Sequence, residues 1–347
     1  RRQRQMCIRD RVKAPANKLT AKKAVNFVIN NAIIFMMLIT AIVVTFLEPN
    51  FASSSNARNL INNTAVRFII ALGVSGCLIS KGTDLSAGRQ VGLAACIAAT
   101  LLQRADYSAK VYPNLPEFNE WLVLLIVIAI LAVFGLFNGI VIAFFKVPPF
   151  IATLGTQTII YGACQIFTGS QPIGGLKESY TIISTGKLFG SDWLPYLGFF
   201  ALFIGLLMWF LYNKTPHGKY MYAIGGNENA AEVSGINTNR TKIIIYVLAS
   251  VLYAIAGFLL GGKAGGTSVN LGQGYELEAI AGATIGGVST SGGIGRISGI
   301  LIGVLVFELL KITMQFLSVN VSWTYIVQGI VIVLAVALDI RKYIAKK

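Results

Sequence analysis

Runs of about twenty apolar residues recur from residue 25 to residue 340, each closed off by a short polar segment. A helix of that length covers the roughly 30 Å hydrocarbon core of a bilayer, so the pattern reads as a series of membrane spans. Ten are predicted, at roughly 25–47, 60–80, 88–103, 121–145, 150–168, 194–212, 243–262, 276–289, 295–316 and 322–340. The third and eighth are short and rich in glycine. The expected fold class is all-α, a polytopic transmembrane helix bundle of about ten spans with broken or half helices and both termini cytoplasmic. Residues 1–24 form a basic N-terminal arm, 25–340 a single transmembrane domain, and 341–347 a basic tail.

The longest polar interruption runs from Asn213 to Lys242, NKTPHGKYMYAIGGNENAAEVSGINTNRTK. Within it Asn227 can cap a short helix from Glu228 to Ser234, and Gly235 can end that helix in the left-handed conformation. Positions three and four apart are neighbours on a helix, so Ala230, Ala231 and Ser234 share one face. A small-residue helix of this kind suits insertion into a cleft of a second protein; a solvated loop is the alternative. Two further breaks fall inside the apolar pattern. In Ser80 to Ala94, SKGTDLSAGRQVGLA, five residues from Lys81 to Ser86 are polar or glycine, and Asp84 is placed to cap the helix that resumes. Irregular polar backbone at membrane depth survives only where protein buries it or water lines it, and broken helices often flank transport routes. A tight cytoplasmic turn is the competing reading. The second break, Gly286 to Gly299, shares the pattern G-R-x-x-G with the first, at Gly88 and Gly295, as a short internal repeat would.

Charge sets the orientation. Most of the 29 Lys and Arg fall on the side of the N-terminus, including Lys214, Lys219, Arg240 and Lys242, which puts 213–242 in the cytoplasm. The net charge of +15 is therefore a topology signal. The basic residues are scattered among loops without an aromatic platform, so no nucleic-acid partner is expected. The first dozen residues, RRQRQMCIRDRV, are either a basic arm or a non-native stretch from a misplaced start or adapter. Cys7, Cys77, Cys96 and Cys164 lack metal-ligand spacing, His217 is the lone histidine and is expected to be solvated, and no metal is expected. Arg67, Glu308 and Lys311 lie within spans, where burial of charge is costly, and Glu308 and Lys311 are spaced to pair. Five Gly-xxx-Gly pairs, at Gly88/Gly92, Gly135/Gly139, Gly257/Gly261, Gly282/Gly286 and Gly299/Gly303, point to close helix packing. Gly257 to Lys263 reads G-x-x-x-x-G-K, but Ala264 stands where a phosphate loop needs its Ser or Thr hydroxyl. No catalytic residues are expected.

Five segments carry a resemblance: KGTDLSAGRQVGLAA (81–95), VPPFIATLGT (147–156), AIGGNENAAEVSGI (223–236), IGGVSTSGGIG (285–295) and VALDIRKY (336–343). Together they resemble bacterial monosaccharide ABC-transporter permeases from about residue 25 onward. KGTDLSAGRQ is nearer the galactose/methylgalactoside branch of that family than the GGIDLSVGS-like reading of its ribose members. The resemblance implies a multi-pass permease of the bacterial inner membrane that pairs with a second copy of itself amid membrane lipid. It also implies a cytoplasmic ATPase with two nucleotide-binding halves, which holds the ATP and magnesium, and a periplasmic sugar-binding protein. This chain would hold no cofactor and no ATPase site. The segment 213–242 would then dock on the ATPase through Gly226, Asn227, Asn229, Ala230, Ala231, Ser234 and Gly235. Asn229 stands where the importer pattern E-A-A-x-x-x-G has Glu. A neutral sugar needs hydrogen-bonding groups along its path, for which Thr83, Asp84, Ser86, Gln90, Thr153, Thr156 and Gln157 are the candidates. The loops 104–120 and 169–193, with Tyr107, Tyr112, Tyr180 and Trp193, would meet the binding protein. An ion-coupled carrier and a structural membrane subunit are the other classes considered.

Overall fold

Every predicted apolar run becomes a helix in the computed structural model, which describes residues 32–190 and 195–344. The arm 1–24 with Cys7, Trp193 and residues 345–347 lie outside the described residues. In chain order the helices are α1 (Ala32–Leu47), α2 (Ser54–Ile79), α3 (Ala87–Leu101), α4 (Glu120–Ala143), α5 (Pro149–Thr168) and α6 (Glu178–Thr185), followed by α7 (Tyr196–Lys214) and α8 (Pro216–Gly226). The remainder are α9 (Glu228–Val233), α10 (Thr238–Ala264), α11 (Tyr275–Ile285), α12 (Ile297–Phe316) and α13 (Val321–Ile344). Six of them, α2, α4, α5, α7, α10 and α12, are long and apolar enough to cross a membrane. Among the described residues there is no strand, only isolated bridges such as Ile173 to Thr267.

Local chemistry sets the ends. Ser53, Asn119 and Asn237 each accept a backbone N–H of the helix they cap, satisfying donors that a first turn leaves free. α5 starts on Pro149, and α5 and α10 end on Gly169 and Gly265, both in the left-handed conformation. α10 is the central helix, packed against α2, α3 and α4. All five Gly-xxx-Gly pairs are consumed inside the chain. Gly135 and Gly139 lie against Tyr246, Ser250 and Ile243 of α10, and Gly257 lies against Val91 and Ala94 of α3. Gly282, Gly286, Gly299 and Gly303 clasp α11 to α12. Apolar side chains on α1, α4, α7 and α13 stay exposed, as a lipid-facing belt requires.

α3 has 15 residues and α11 has 11. At 1.5 Å per residue they reach only about 22 and 16 Å, so neither crosses the bilayer alone. Their N-termini meet: the carbonyls of Leu271 and Gly272, in the loop leading to α11, lie against Gly92 and Gly88 of α3. That loop therefore dips to the level of the α2–α3 break. Arg89 fastens it, donating to the Val269 carbonyl at 3.1 Å while its guanidinium lies 4.1 Å from the Tyr161 ring centre. The other G-R-x-x-G is placed differently, because Arg296 is the residue before α12 and is exposed. The two copies of the motif are not structural equivalents.

The intramembrane charges form one cluster. Arg67 of α2 binds Glu278 of α11 at 2.6 Å and Glu308 of α12 at 3.1 Å. Lys311 binds Glu278 at 2.8 Å and reaches Glu308 only at 3.9 Å. The expected Glu308–Lys311 pair is thus the weakest edge of a four-membered network that ties three helices together, and Glu278 is its centre.

Candidate functional site

Two polar features meet around the first break. Lys81 adopts φ +62, which turns the chain sharply at the end of α2. Asp84 then folds back on its own backbone: its Oδ1 accepts the Ser86 N–H at 2.9 Å and the Ser86 hydroxyl at 2.5 Å. Asp84 is not the cap of α3, as its position suggested; Ser86 holds that place. The preference of Asp for its own backbone two residues on explains the shift. Gln90 Nε2 and Asn138 Nδ2 both donate to the Ser86 hydroxyl, at 2.9 and 3.2 Å. Thr156 donates to Asn138 Oδ1 at 2.6 Å. Thr153 accepts the Leu85 N–H at 3.1 Å and faces the Thr83 carbonyl at 3.3 Å. Six of the seven candidate pathway residues thus converge on one network spanning the break, α3, α4 and α5. All except Thr83 are fully buried side chains. Gln157 lies outside it, half-buried on the next face of α5. Asn138 was missed, since one Asn in a long apolar run carries no local signal.

The segment 213–242 is more ordered than a loop. α7 extends to Lys214, α8 fills 216–226, and α9 follows after one residue. Asn227 caps α9 by accepting the Ala230 N–H at 3.1 Å, and Gly235 closes it at φ +85 with Ile236 N bonded to the Ala231 carbonyl. Ala231, though, turns inward and is buried, while Asn229, Ala230 and Ser234 face outward with Val233, which is 90% exposed. The exposed face of α9 is therefore centred on Val233. His217 sits in the first turn of α8, half-buried, with Nε2 unpartnered. Burial lowers its pKa below the ordinary imidazole value, so it is not the solvated loop histidine expected.

The end of α8 is wedged between both helix breaks. Gly225 packs so closely that a Cβ there would lie 1.7 Å from the Ile79 carbonyl oxygen and 2.6 Å from Gly293 N. Gly293 N in turn donates to that same Ile79 carbonyl at 2.8 Å. Lys81 Nζ donates to the Gly226 carbonyl at 3.3 Å, and the Tyr222 hydroxyl donates to the Gly295 carbonyl at 3.0 Å. The glycine-rich loop is pinned from its far side by Asp339 of α13, which accepts from Thr290 N, Thr290 Oγ1 and Ser289 Oγ at 3.0–3.2 Å. The end of α8 thus packs directly on the end of α2 and on the loop between α11 and α12.

On the opposite face the aromatic residues divide. Tyr180 is fully buried, with its hydroxyl donating to the Phe258 carbonyl at 2.6 Å, so it presents nothing to a partner. Tyr112 is exposed and hydrogen-bonded to the Phe167 carbonyl, and Tyr107 covers Gly175. At the same end, Asn50, Ser53, Ser55, Asn56, Asn59, Asn63 and Gln315 line a cavity of about 480 Å³ floored by Phe316. Among the described residues no three His, Cys, Asp or Glu side chains gather to hold a metal ion.

Residues 56–336 match the family model described as "Branched-chain amino acid transport system / permease component". The chain is 44% identical over 333 residues to the galactose/methyl galactoside import permease protein MglC of Escherichia coli K12, covering 95% of this chain and 99% of that one. The Haemophilus influenzae protein of the same name is also 44% identical over 333 residues, with the same coverage. The ribose import permease protein RbsC of Bacillus subtilis is 36% identical over 309 residues, 88% of this chain and 91% of that one. No solved structure matches the chain.

Proposed function

The chain belongs to the family of branched-chain amino acid transport system permease components, and we propose that it is the membrane permease of an ATP-driven importer of galactose or methyl galactosides. The cargo follows from the relatives' names and from their greater identity over the ribose permease, 44% against 36%. The observation that carries the mechanism is the seat of Gly225 against Ile79 and Gly293, which joins the cytoplasmic segment to both helix breaks.

In this reading a separate cytoplasmic ATPase with two nucleotide-binding halves grips the outward face of α9, around Asn229, Ala230, Val233 and Ser234. Gly226, Asn227 and Gly235 set the geometry of that face, and buried Ala231 anchors it to the chain. Closure of the ATPase halves moves α8, and Gly225 passes the motion to the end of α2 and the α11–α12 loop. The buried network of Thr83, Asp84, Ser86, Gln90, Thr153 and Thr156, with Asn138, keeps α3, α4 and α5 in register as that happens. Gln157 is a lesser candidate for contact with the sugar. Two copies of the chain enclose the path across the inner membrane. A periplasmic binding protein delivers the sugar to the outer cavity, whose amides, hydroxyls and Phe316 suit a neutral polyol. The chain itself turns over no ATP: its G-x-x-x-x-G-K run ends α10 instead of joining a strand to a helix, and it lacks the magnesium-binding hydroxyl.

The test is uptake of labelled galactose and ribose into proteoliposomes holding this chain and its ATPase, supplied with the binding protein. Galactose uptake that vanishes without ATP supports the reading. Ribose uptake alone would keep the machine and change its cargo, and uptake without the ATPase would sink the importer.

A further inference from the structure

We propose that the cytoplasmic pocket between the α2–α3 break, the end of α4 and the α9–α10 junction binds the phosphate group of an anionic ligand. The pocket holds about 220 Å³ and is lined by Lys81, Gly82, Lys146, Glu228, Lys242 and Tyr246, among others. Three ammonium groups face a single carboxylate there. Lys242 is paired with Glu228 at 2.7 Å. Lys146 donates to Asn239 Oδ1 at 3.1 Å and Lys81 to the Gly226 carbonyl, and among the described residues neither faces a carboxylate at ion-pair distance. Each ammonium carries three donors, so most of that capacity is left for a ligand.

A surplus of lysine on a cytoplasmic face is expected from topology alone. Topology does not explain why three lysines from separate elements converge on one cavity. Nor does it explain Tyr246, which forms part of the lining. Its side chain is buried against Gly82 and its hydroxyl has no hydrogen-bond partner. A buried hydroxyl left unpaired is costly, and an entering oxyanion would relieve it. Lysine binds phosphate as a point charge, with hydroxyl donors sharpening the geometry. The cavity is large enough for a phosphate and part of what it is attached to.

Occupancy would tie together Lys81 on the break, Lys146 after α4, and Lys242 beside the cap of α9. Those elements shift against one another if α8 and α9 transmit force, so the bound anion would hold them still and slow transport. This regulatory consequence rests on the coupling reading above; the binding itself does not. The phosphate group has two possible sources, a soluble phosphate ester or an anionic lipid headgroup.

The experiment measures the thermal unfolding midpoint of the full chain in nanodiscs. In one arm phosphatidylcholine discs receive inorganic phosphate or glucose 6-phosphate, compared with chloride at equal ionic strength. In the other, phosphatidylglycerol replaces part of the lipid. The expected result is a rise in the midpoint in at least one arm, with affinity about tenfold weaker in K146Q from the loss of one charge-assisted contact. Y246F should also weaken the response while leaving the unliganded midpoint close to that of wild type. A rise in the first arm identifies a soluble ester, and a rise confined to the second identifies the lipid. No rise in either arm, or an equal rise in K146Q, would overturn the site, whether or not the chain imports sugar.

Discussion

Adding one methyl group at Gly225 tests the junction between the segment 213–242 and the helix breaks. The new Cβ would lie 1.7 Å from the Ile79 carbonyl oxygen, where contacts under 3.0 Å essentially never occur, so α8 must retreat by more than 1 Å. The same retreat strains the bond from Gly293 N to the Ile79 carbonyl, because that oxygen is the group displaced. Overpacking a tight contact costs about 1–3 kcal/mol, and loss of one hydrogen bond adds about 1 kcal/mol. Gly225→Ala should therefore destabilise by about 2–4 kcal/mol. Gly226→Ala is the matched control: a Cβ there meets nothing within 4 Å. At the end of a helix it should be neutral or gain up to about 1 kcal/mol over glycine. The assay compares thermal inactivation of the two variants in detergent with ATP-driven uptake in proteoliposomes. Gly225→Ala should lose midpoint and most of its uptake, and Gly226→Ala should keep its midpoint. Equal midpoints for the two variants would refute the packing argument. Full uptake by a destabilised Gly225→Ala would refute the transmission argument alone.

Glu278→Ala leaves Arg67 and Lys311 with only the more distant Glu308. Loss of one partner of a buried pair costs about 3–5 kcal/mol, so a poorly folding protein is expected, and a thermal midpoint near wild type would contradict it. Val233→Glu puts a charge on the exposed face of α9 without touching the core; it should cut co-purification of the ATPase and leave the midpoint unchanged. Tyr180→Phe removes the buried hydroxyl that donates to the Phe258 carbonyl, so a loss of about 0.5–1.5 kcal/mol is expected with normal capture of the binding protein. Asp84→Ala frees the Ser86 N–H and hydroxyl and should slow uptake more than it reduces membrane yield; unchanged uptake kinetics would show that the network is dispensable.

The helices were legible because hydrophobic runs report length, and length reports spans. The cap and stop of α9 were legible too, since Asn227 and Gly235 act on backbone a few residues away. What the sequence could not report was depth. Residues 265–274 fall between two predicted spans with no sign of their depth, yet Leu271 and Gly272 lie against Gly92 and Gly88 of α3 because glycine lets backbone meet backbone. Partners distant in sequence were equally hidden. Glu278 carries no mark that it joins Arg67, 211 residues away, and Asp339 none that it holds Thr290. Two of the local readings that failed, Asp84 as a cap and Ala231 as an outward face, needed the backbone turn and the packing of α9 before they could be decided, and His217 as a solvated residue needed the packing of α8.

The distribution of buried charge bears on where the driving force enters. Arg67, Lys311, Glu278 and Glu308 neutralise one another, two against two, and do so by joining helices. Among the described residues two buried carboxylates remain, Asp84 before α3 and Glu276 in the first turn of α11, and both lie close to the start of α3. Asp84 accepts the Ser86 N–H, and a Cβ at Gly88 would come within 2.0 Å of Glu276 Oε2. The Ser86 N–H and hydroxyl satisfy one oxygen of Asp84, while Asp84 Oδ2 and Glu276 Oε2 are buried without a hydrogen-bond partner among the described residues. The four-membered cluster thus has a structural role in joining helices, whereas Asp84 and Glu276 are only partly satisfied by the fold. In the proposed reading force enters instead at the exposed face of α9, which leads through Asn227 to Gly225, and Gly225 to the end of α2 and the α11–α12 loop.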